Sequence, residues 1–132
     1  MNIARHMIPK VCTVFLTESN TVRQGLEILT HHGYAAVPVL DDHQHYAGCI
    51  TEGDFLRFIL KIGSADKRDM EDTLIGDILR RDFCPPLSID ADEKEIMSTL
   101  MNQNFAPIVD SQNALCGILT RRSLMQYLSE KL

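Results

Sequence analysis

Apolar and polar positions alternate along this chain in one order, twice. "CTVFLT" (Cys12 to Thr17) reads as a short extended piece. Val22, Leu26 and Leu29 then recur at helical spacing, with Asn20 as the N-cap candidate and Gly33 closing the stripe. Two strand-like runs follow, "AAVPVL" (Ala35 to Leu40) and "YAGCI" (Tyr46 to Ile50), with the polar "DDHQH" between them as a solvated loop. A last helical stripe opens at Thr51 and carries Phe55, Leu56, Ile59 and Leu60. The pattern predicts strand, helix, strand, strand, helix.

The second half repeats it. Shifting the sequence by 69 positions lays "PVLDDHQHYAGCITEGDFL" (Pro38 to Leu56) over "PIVDSQNALCGILTRRSLM" (Pro107 to Met125), so that Pro38 meets Pro107, Gly48 meets Gly117 and Thr51 meets Thr120. Nearer the start the register drifts, and "IARHM" (Ile3 to Met7) lies over "IGDIL" (Ile75 to Leu79). The second copy supplies an extended "PLSID" (Pro86 to Asp90), then a helix capped by Asp90 or Asp92 with Ile96, Met97, Leu100 and Met101 as its stripe. Strands "FAPIV" (Phe105 to Val109) and "ALCGIL" (Ala114 to Leu119) come next, and then a helix from Thr120 with Leu124, Met125 and Leu128. We expect repeat 1 over 1–62, a polar linker over 63–74 and repeat 2 over 75–132, the last opening on a short helix with Leu74, Ile75, Ile78 and Leu79 inward and stopped by Pro85 and Pro86. A copy of roughly 60 residues buries too little surface to stand alone, so the two should form a pseudo-twofold pair. The fold class is α+β.

Composition narrows the function. The chain has 132 residues and a net charge of −5, a poor match for nucleic acid, which selects a basic stripe. No apolar run approaches the ~20 residues of a membrane span, and "MNIARHMIPK" lacks a secretory h-region, so a cytoplasmic protein is expected. Cys12, Cys49, Cys84 and Cys116 form no C-x-x-C pair and read as reduced thiols. The histidines of "DDHQH" belong to its solvated loop rather than to a metal site. No G-x-S-x-G, H-E-x-x-H, Walker A or G-x-G-x-x-G string is present, and no enzyme activity, cofactor or metal is expected.

Chemistry concentrates at the repeated threonine. Thr51-x-x-Asp54 is a good helix cap, its hydroxyl accepting from a backbone N–H and its acid suiting the dipole. The same junction is also an anion site, because a helix N-terminus directly after a strand offers free N–H groups to a phosphate. In the second copy Ser123 stands where Asp54 has its counterpart, and Arg121 and Arg122 are gained. Two guanidiniums there either lie solvated on the first turn or serve phosphate oxygens. Proline cannot donate to a strand ladder, so pairing should be interrupted at Pro38 and Pro107, freeing nearby backbone for a base.

The "h-x-x-h-M" entry at Ile3 to Met7, "GYAAVPVLD" (Gly33 to Asp41), "GCITEGDF" (Gly48 to Phe55), "FAPIVD" (Phe105 to Asp110) and "GILTRRSL" (Gly117 to Leu124) together resemble the CBS domain, and the whole chain resembles a tandem CBS pair, a Bateman module. "LTRRSLMQYL" (Leu119 to Leu128) is further similar to small stand-alone bacterial CBS proteins that bind cyclic di-AMP, in which a T-R-R string contacts phosphate. The resemblance implies two β-α-β-β-α repeats and two clefts, each mixing both copies. Cleft 1 would join Cys12, Val14, Tyr34, Ala35 and Ala36 with Thr120, Arg121 and Arg122. Cleft 2 would join Leu87, Ser88, Phe105 and Ala106 with Thr51 and Asp54, the acid meeting ribose hydroxyls. Cleft 1 is expected to be cationic, whereas cleft 2 has no arginine nearby in sequence, Glu52 adds to its acidity, and it suits a neutral adenosine group or none.

The function so implied is a non-catalytic regulatory module sensing an adenine nucleotide, cyclic di-AMP first and AMP or ATP as alternatives, and signalling by docking to an unidentified protein. The competing reading is a constitutive dimerisation module with degenerate clefts. A homodimer is implied by the family, and "DFLRFILKI" (Asp54 to Ile62), apolar almost all round, agrees. Neither a membrane nor DNA is an expected partner.

Overall fold

A computed structural model of the chain describes residues 1–63 and 66–132; Ser64 and Ala65, inside the expected linker, lie outside the described residues. In chain order the elements are α1 (Ile3–His6), β1 (Ile8–Pro9), a 3-10 turn (Lys10–Cys12), β2 (Leu16–Thr17), α2 (Val22–His32), β3 (Ala36–Leu40), β4 (Tyr46–Thr51), α3 (Glu52–Ile62), α4 (Lys67–Asp72), α5 (Ile75–Ile78), β5 (Leu87–Ser88), α6 (Glu93–Asn102), β6 (Phe105–Val109), β7 (Leu115–Thr120) and α7 (Arg121–Glu130). The α+β class and the doubled strand-helix-strand-strand-helix order are as expected. The chain gathers into two compact units, one of residues 15–83 and one of residues 1–14 with 84–132.

In the 15–83 unit, β2 and β3 run parallel with α2 between them, and β4 returns antiparallel, giving the order β2-β3-β4. Leu16, Val22, Leu29, Val39, Ile50, Phe55 and Ile75 are buried there. The cap of α2 is Thr21 rather than Asn20: the Thr21 hydroxyl accepts from the Gln24 amide at 3.1 Å and Gln24 Oε1 accepts from the Thr21 amide at 2.9 Å. Asn20 sits one residue early and accepts from the Thr17 amide instead, at 2.8 Å, closing the turn after β2. Gly33 ends the helix at φ 69°, a left-handed cap, as expected.

The expected polar linker holds a helix the sequence pattern does not announce. α4 is capped by the Asp66 side chain and buries Met70. Beyond it the chain is tied down by Val22 N–H on the Thr73 carbonyl and Ile75 N–H on the Asn20 carbonyl, both at 2.8 Å. Of the four apolar residues expected inward, Ile75 is fully buried but Leu74 is 40% exposed. α5 ends at Ile78, well before the two prolines, because Leu79 turns extended and runs past Gly48 of β4, where a Cβ would lie 3.3 Å from its side chain.

In the other unit the sheet order is β1-β7-β6-β5, with β5 parallel to β6 and the other neighbours antiparallel. α6 is capped by Asp92, which accepts from the Glu95 amide at 2.8 Å. Ile3, Leu87, Ile96, Leu100, Ile108, Leu119 and Leu124 form the core. The extended piece expected over Cys12 to Thr17 is shorter than that: Lys10–Cys12 coil into the 3-10 turn, and only Leu16–Thr17 pair as strand. The helical stripes are wider than the sheets can cover. Met97 and Met101 on α6, Leu56 and Leu60 on α3 and Met125 on α7 are all exposed, although the apolar pattern had placed them inward.

Candidate functional site

Each copy brings a threonine to the end of its hairpin and starts a helix on it. β4 ends at Thr51, opposite Ala36, and β7 ends at Thr120, opposite Phe105. Both hydroxyls accept from the amide three residues on, Asp54 at 3.3 Å and Ser123 at 3.1 Å. The capping reading therefore holds at both junctions.

The segments expected to offer free backbone are only half free. Pro38 and Pro107 lie within β3 and β6, opposite Cys49 and Ile118, so the hairpin ladder continues past them. Pairing is interrupted on the other edge alone, where β2 begins at Val39 and β5 at Ile108. A residue without an N–H fits there because that N–H would face away from the hairpin partner. The Ala35 carbonyl accepts from the Glu52 amide at 2.9 Å and the Asn104 carbonyl from the Arg121 amide at 3.3 Å, so neither oxygen is idle. Tyr34 is exposed and its ring lies parallel to that of His32, 5.6 Å between centroids.

The acidic junction is built differently from the expectation. Among the described residues Asp54 is the one buried charged side chain, at 4% exposure. Its Oδ2 accepts from the Thr51 amide at 2.8 Å and the Thr51 hydroxyl at 3.0 Å. Its Oδ1 accepts from Arg57 Nη2 and from Arg80 Nε, each at 2.7 Å. Burial pushes the carboxyl up, but the bonds from Arg57, the Thr51 amide, Arg80 and the Thr51 hydroxyl outweigh it and hold it below the ordinary aspartate value. Asp54 thus carries two guanidiniums, and the acidic, arginine-free surroundings expected of it are corrected. Arg57 follows Asp54 by one helical turn and was legible in the sequence. Arg80 comes from 26 positions away, where no local pattern points to it. It is also seated on Phe83, its guanidinium carbon 3.7 Å from the ring centroid.

The second junction lacks the acid, and the Ser123 hydroxyl lies 3.1 Å from that of Thr120. The two arginines there divide. Arg121 donates from Nε to the Leu100 carbonyl at 2.7 Å and from Nη2 to the Met101 carbonyl at 3.3 Å, closing the last turn of α6. A cation at a helix C-terminus is favoured by the dipole, which explains a basic residue that α7 itself disfavours. Arg122 is exposed and has no hydrogen-bond or ion-pair partner among the described residues.

The expected cleft residues distribute as follows. Cys12, Val14, Leu87, Ser88, Phe105, Ala106, Thr120, Arg121 and Arg122 belong to the unit holding the chain start, whereas Tyr34, Ala35, Ala36, Thr51 and Asp54 belong to the other. Within the first, the 3-10 turn ending at Cys12 packs beside β7, the strand that ends in Thr120. Leu87 and Ser88 pair with Ile108 and Val109, farther along β6 than Phe105 and Ala106.

A groove of about 430 Å³ opens within the 15–83 unit beside Asp54, lined by Arg57, Phe58, Lys61, Ile62, Thr73, Asp77, Ile78 and Arg80. No group of His, Cys, Asp and Glu suited to a metal occurs among the described residues; in the "DDHQH" loop Asp41 Oδ1 accepts from the His43 and His45 amides at 2.8 and 2.9 Å. No helix among the described residues is long and apolar enough to cross a membrane.

Comparison with known proteins places these features. The CBS domain model matches residues 3–61 and 75–130. Cyclic di-AMP receptor B of Bacillus subtilis (strain 168) is 22% identical over 128 residues, covering 97% of this chain and 86% of the relative. The crystal structure of Listeria monocytogenes CbpB in complex with c-di-AMP is 26% identical with a TM-score of 0.86, covering 99% of this chain and 97% of that one. CBSX2 in complex with AMP is 20% identical with a TM-score of 0.79, covering 98% and 96%.

Proposed function

The chain belongs to the CBS domain family as a tandem pair, and from that we propose that it is a non-catalytic sensor of an adenine nucleotide, cyclic di-AMP before AMP or ATP. The observation that carries the reading is the second strand-to-helix junction. There Thr120 caps the helix, the first turn of α7 holds no acidic residue, and Arg122 has no partner among the described residues. A helix N-terminus with a hydroxyl and a free guanidinium, relieved of like-charge repulsion, selects phosphate oxygens. Thr120 and Arg122 supply that contact; Arg121 positions the end of α6 and takes no phosphate. Cys12 and Val14, which belong to the same unit, are assigned to the base. The relatives bearing the names cyclic di-AMP receptor B and CbpB, the latter crystallised with c-di-AMP, support this choice of ligand, and the AMP complex of CBSX2 supports the alternative.

Binding shifts the population of conformations and changes a surface read by a protein partner. The protein acts as a homodimer, the exposed Leu56, Leu60 and Met125 being covered by a second copy. The test is a thermal-shift panel of cyclic di-AMP, AMP, ATP and S-adenosylmethionine. A ligand at 100 times its dissociation constant adds about 2.7 kcal/mol, a readily measured rise for a domain of this size. No rise with any of them defeats the sensor and leaves the constitutive dimerisation module, for which the same exposed helix faces argue.

A further inference from the structure

Asp54 occupies the position that the T-x-x-D pattern gives to a ribose acceptor, yet its acceptor capacity is spent. A carboxylate offers about four lone-pair sites, and Asp54 fills them with the Thr51 amide and hydroxyl on one oxygen and the Arg57 and Arg80 guanidiniums on the other. A diol could bond it only by displacing one of these donors: on Oδ1 both are charged, a poor exchange because charge-assisted hydrogen bonds are the stronger kind, and on Oδ2 they are the Thr51 groups that close the cap of α3. One carboxylate has instead drawn two guanidiniums onto a single oxygen, and one positive charge of the three groups stays uncompensated. Both arginine side chains remain accessible, at 57% and 41%. Lys61, one turn beyond Arg57, adds a third cation to the groove wall. Asp77, the other acid on that wall, is occupied in accepting from the Leu74 amide at 3.0 Å. Gly53 fits the arrangement, since a Cβ there would stand 3.2 Å from Arg57 Nη1 as it lies against the first turn of α3. In a chain with a net charge of −5, a groove lined by three basic and two acidic side chains is locally cationic.

We propose that Asp54 is a positioning residue, holding Arg57 and Arg80 so that with Lys61 they take a phosphate group, and that it does not read ribose hydroxyls. This rests on the nucleotide reading only for what carries the phosphate. The test follows the arginine Nε–H resonances of the full chain by NMR, assigned with Arg57→Lys and Arg80→Lys, during titration with inorganic pyrophosphate, AMP and 2′,3′-dideoxy-AMP. Pyrophosphate is expected to move both resonances saturably, AMP and its dideoxy analogue to bind within about twofold of each other, and Asp54→Asn to weaken all three alike by roughly tenfold or more. Resonances unmoved by pyrophosphate overturn the proposal, and so does a dideoxy analogue bound roughly tenfold more weakly than AMP at these signals. Should Asp54→Asn fail to fold, Arg57→Ala/Arg80→Ala decides by calorimetry with pyrophosphate: a roughly tenfold loss supports the anion site and unchanged binding ends it. If pyrophosphate moves the resonances while neither nucleotide does, the anion site stands and the nucleotide reading is what fails.

Discussion

The backbone of Ile8 crosses β7 so closely at Gly117 that a β-carbon on Gly117 would collide with the Ile8 carbonyl oxygen. Residues 1–14, the entry of the first repeat, belong to the unit of the second repeat, and within them Ile8–Pro9 form the edge strand of its sheet. The corresponding crossing occurs at Gly48, where a β-carbon would lie 3.3 Å from the Leu79 side chain and 3.4 Å from the Arg80 carbonyl oxygen. Gly117→Ala is therefore expected to push β1 off the sheet and cost about 1–3 kcal/mol. Gly33→Ala, where nothing lies within 4 Å but φ is 69°, should cost about 1 kcal/mol from backbone strain alone. Denaturant titration of both variants reads the difference, and equal stability of Gly117→Ala and the unmodified protein would deny the crossing.

The two arginines of "TRR" should separate by experiment. Arg122→Ala is expected to weaken cyclic di-AMP binding by about 1–3 kcal/mol with the melting temperature of the unliganded protein unchanged. Arg121→Ala removes the donors to the Leu100 and Met101 carbonyls and should lower stability by roughly 1 kcal/mol. Calorimetric titration alongside thermal melts distinguishes the two.

Asp54 makes stability depend on pH at the acid end. Its folded carboxyl is held below the ordinary value, so the unfolded chain binds the proton more readily, and the stabilisation is present above the unfolded value of about 3.9. It is lost as pH falls through the lower folded value. Asp54→Asn should be clearly less stable than the unmodified protein at pH 7, and the gap should narrow steadily below about pH 4. A gap independent of pH would mean that the charge of Asp54 contributes nothing.

Leu60, at 70% exposure, and Leu56, at 58%, lie on the uncovered side of α3. Leu60→Asp is expected to shift the protein from dimer to monomer in light scattering without unfolding it, because a charge is tolerated in water and rejected from an apolar interface. A monomeric unmodified protein would remove this face as a subunit contact.

How far the candidate site was legible varies residue by residue. Thr51 and Thr120 follow from position, since a hydroxyl between an apolar run and a helical stripe is a cap wherever the chain goes next. Arg57 is legible one turn after Asp54, at a spacing that brings a guanidinium to a carboxylate on the same helix face. Arg121 was legible as a basic residue at a disfavoured place, but not as a donor to carbonyls 20 and 21 positions earlier. The exposed Met97, Met101 and Leu60 were misplaced because periodicity states which residues share a face, not how much of that face a neighbour covers.

The sequence alone determined the doubled strand-helix-strand-strand-helix order, the pair of strands joined by a polar loop in each copy, and the two threonine caps. These depend on propensity and on alternation between neighbours a few residues apart, which a linear pattern records. Only the tertiary structure decided that the opening segment joins the far half of the chain, that Arg80 reaches Asp54, and that Arg121 is taken up by α6 while Arg122 finds no partner among the described residues. Those outcomes depend on which distant backbone lies within hydrogen-bonding reach, and a carboxylate or carbonyl attracts whichever cation folding delivers to it.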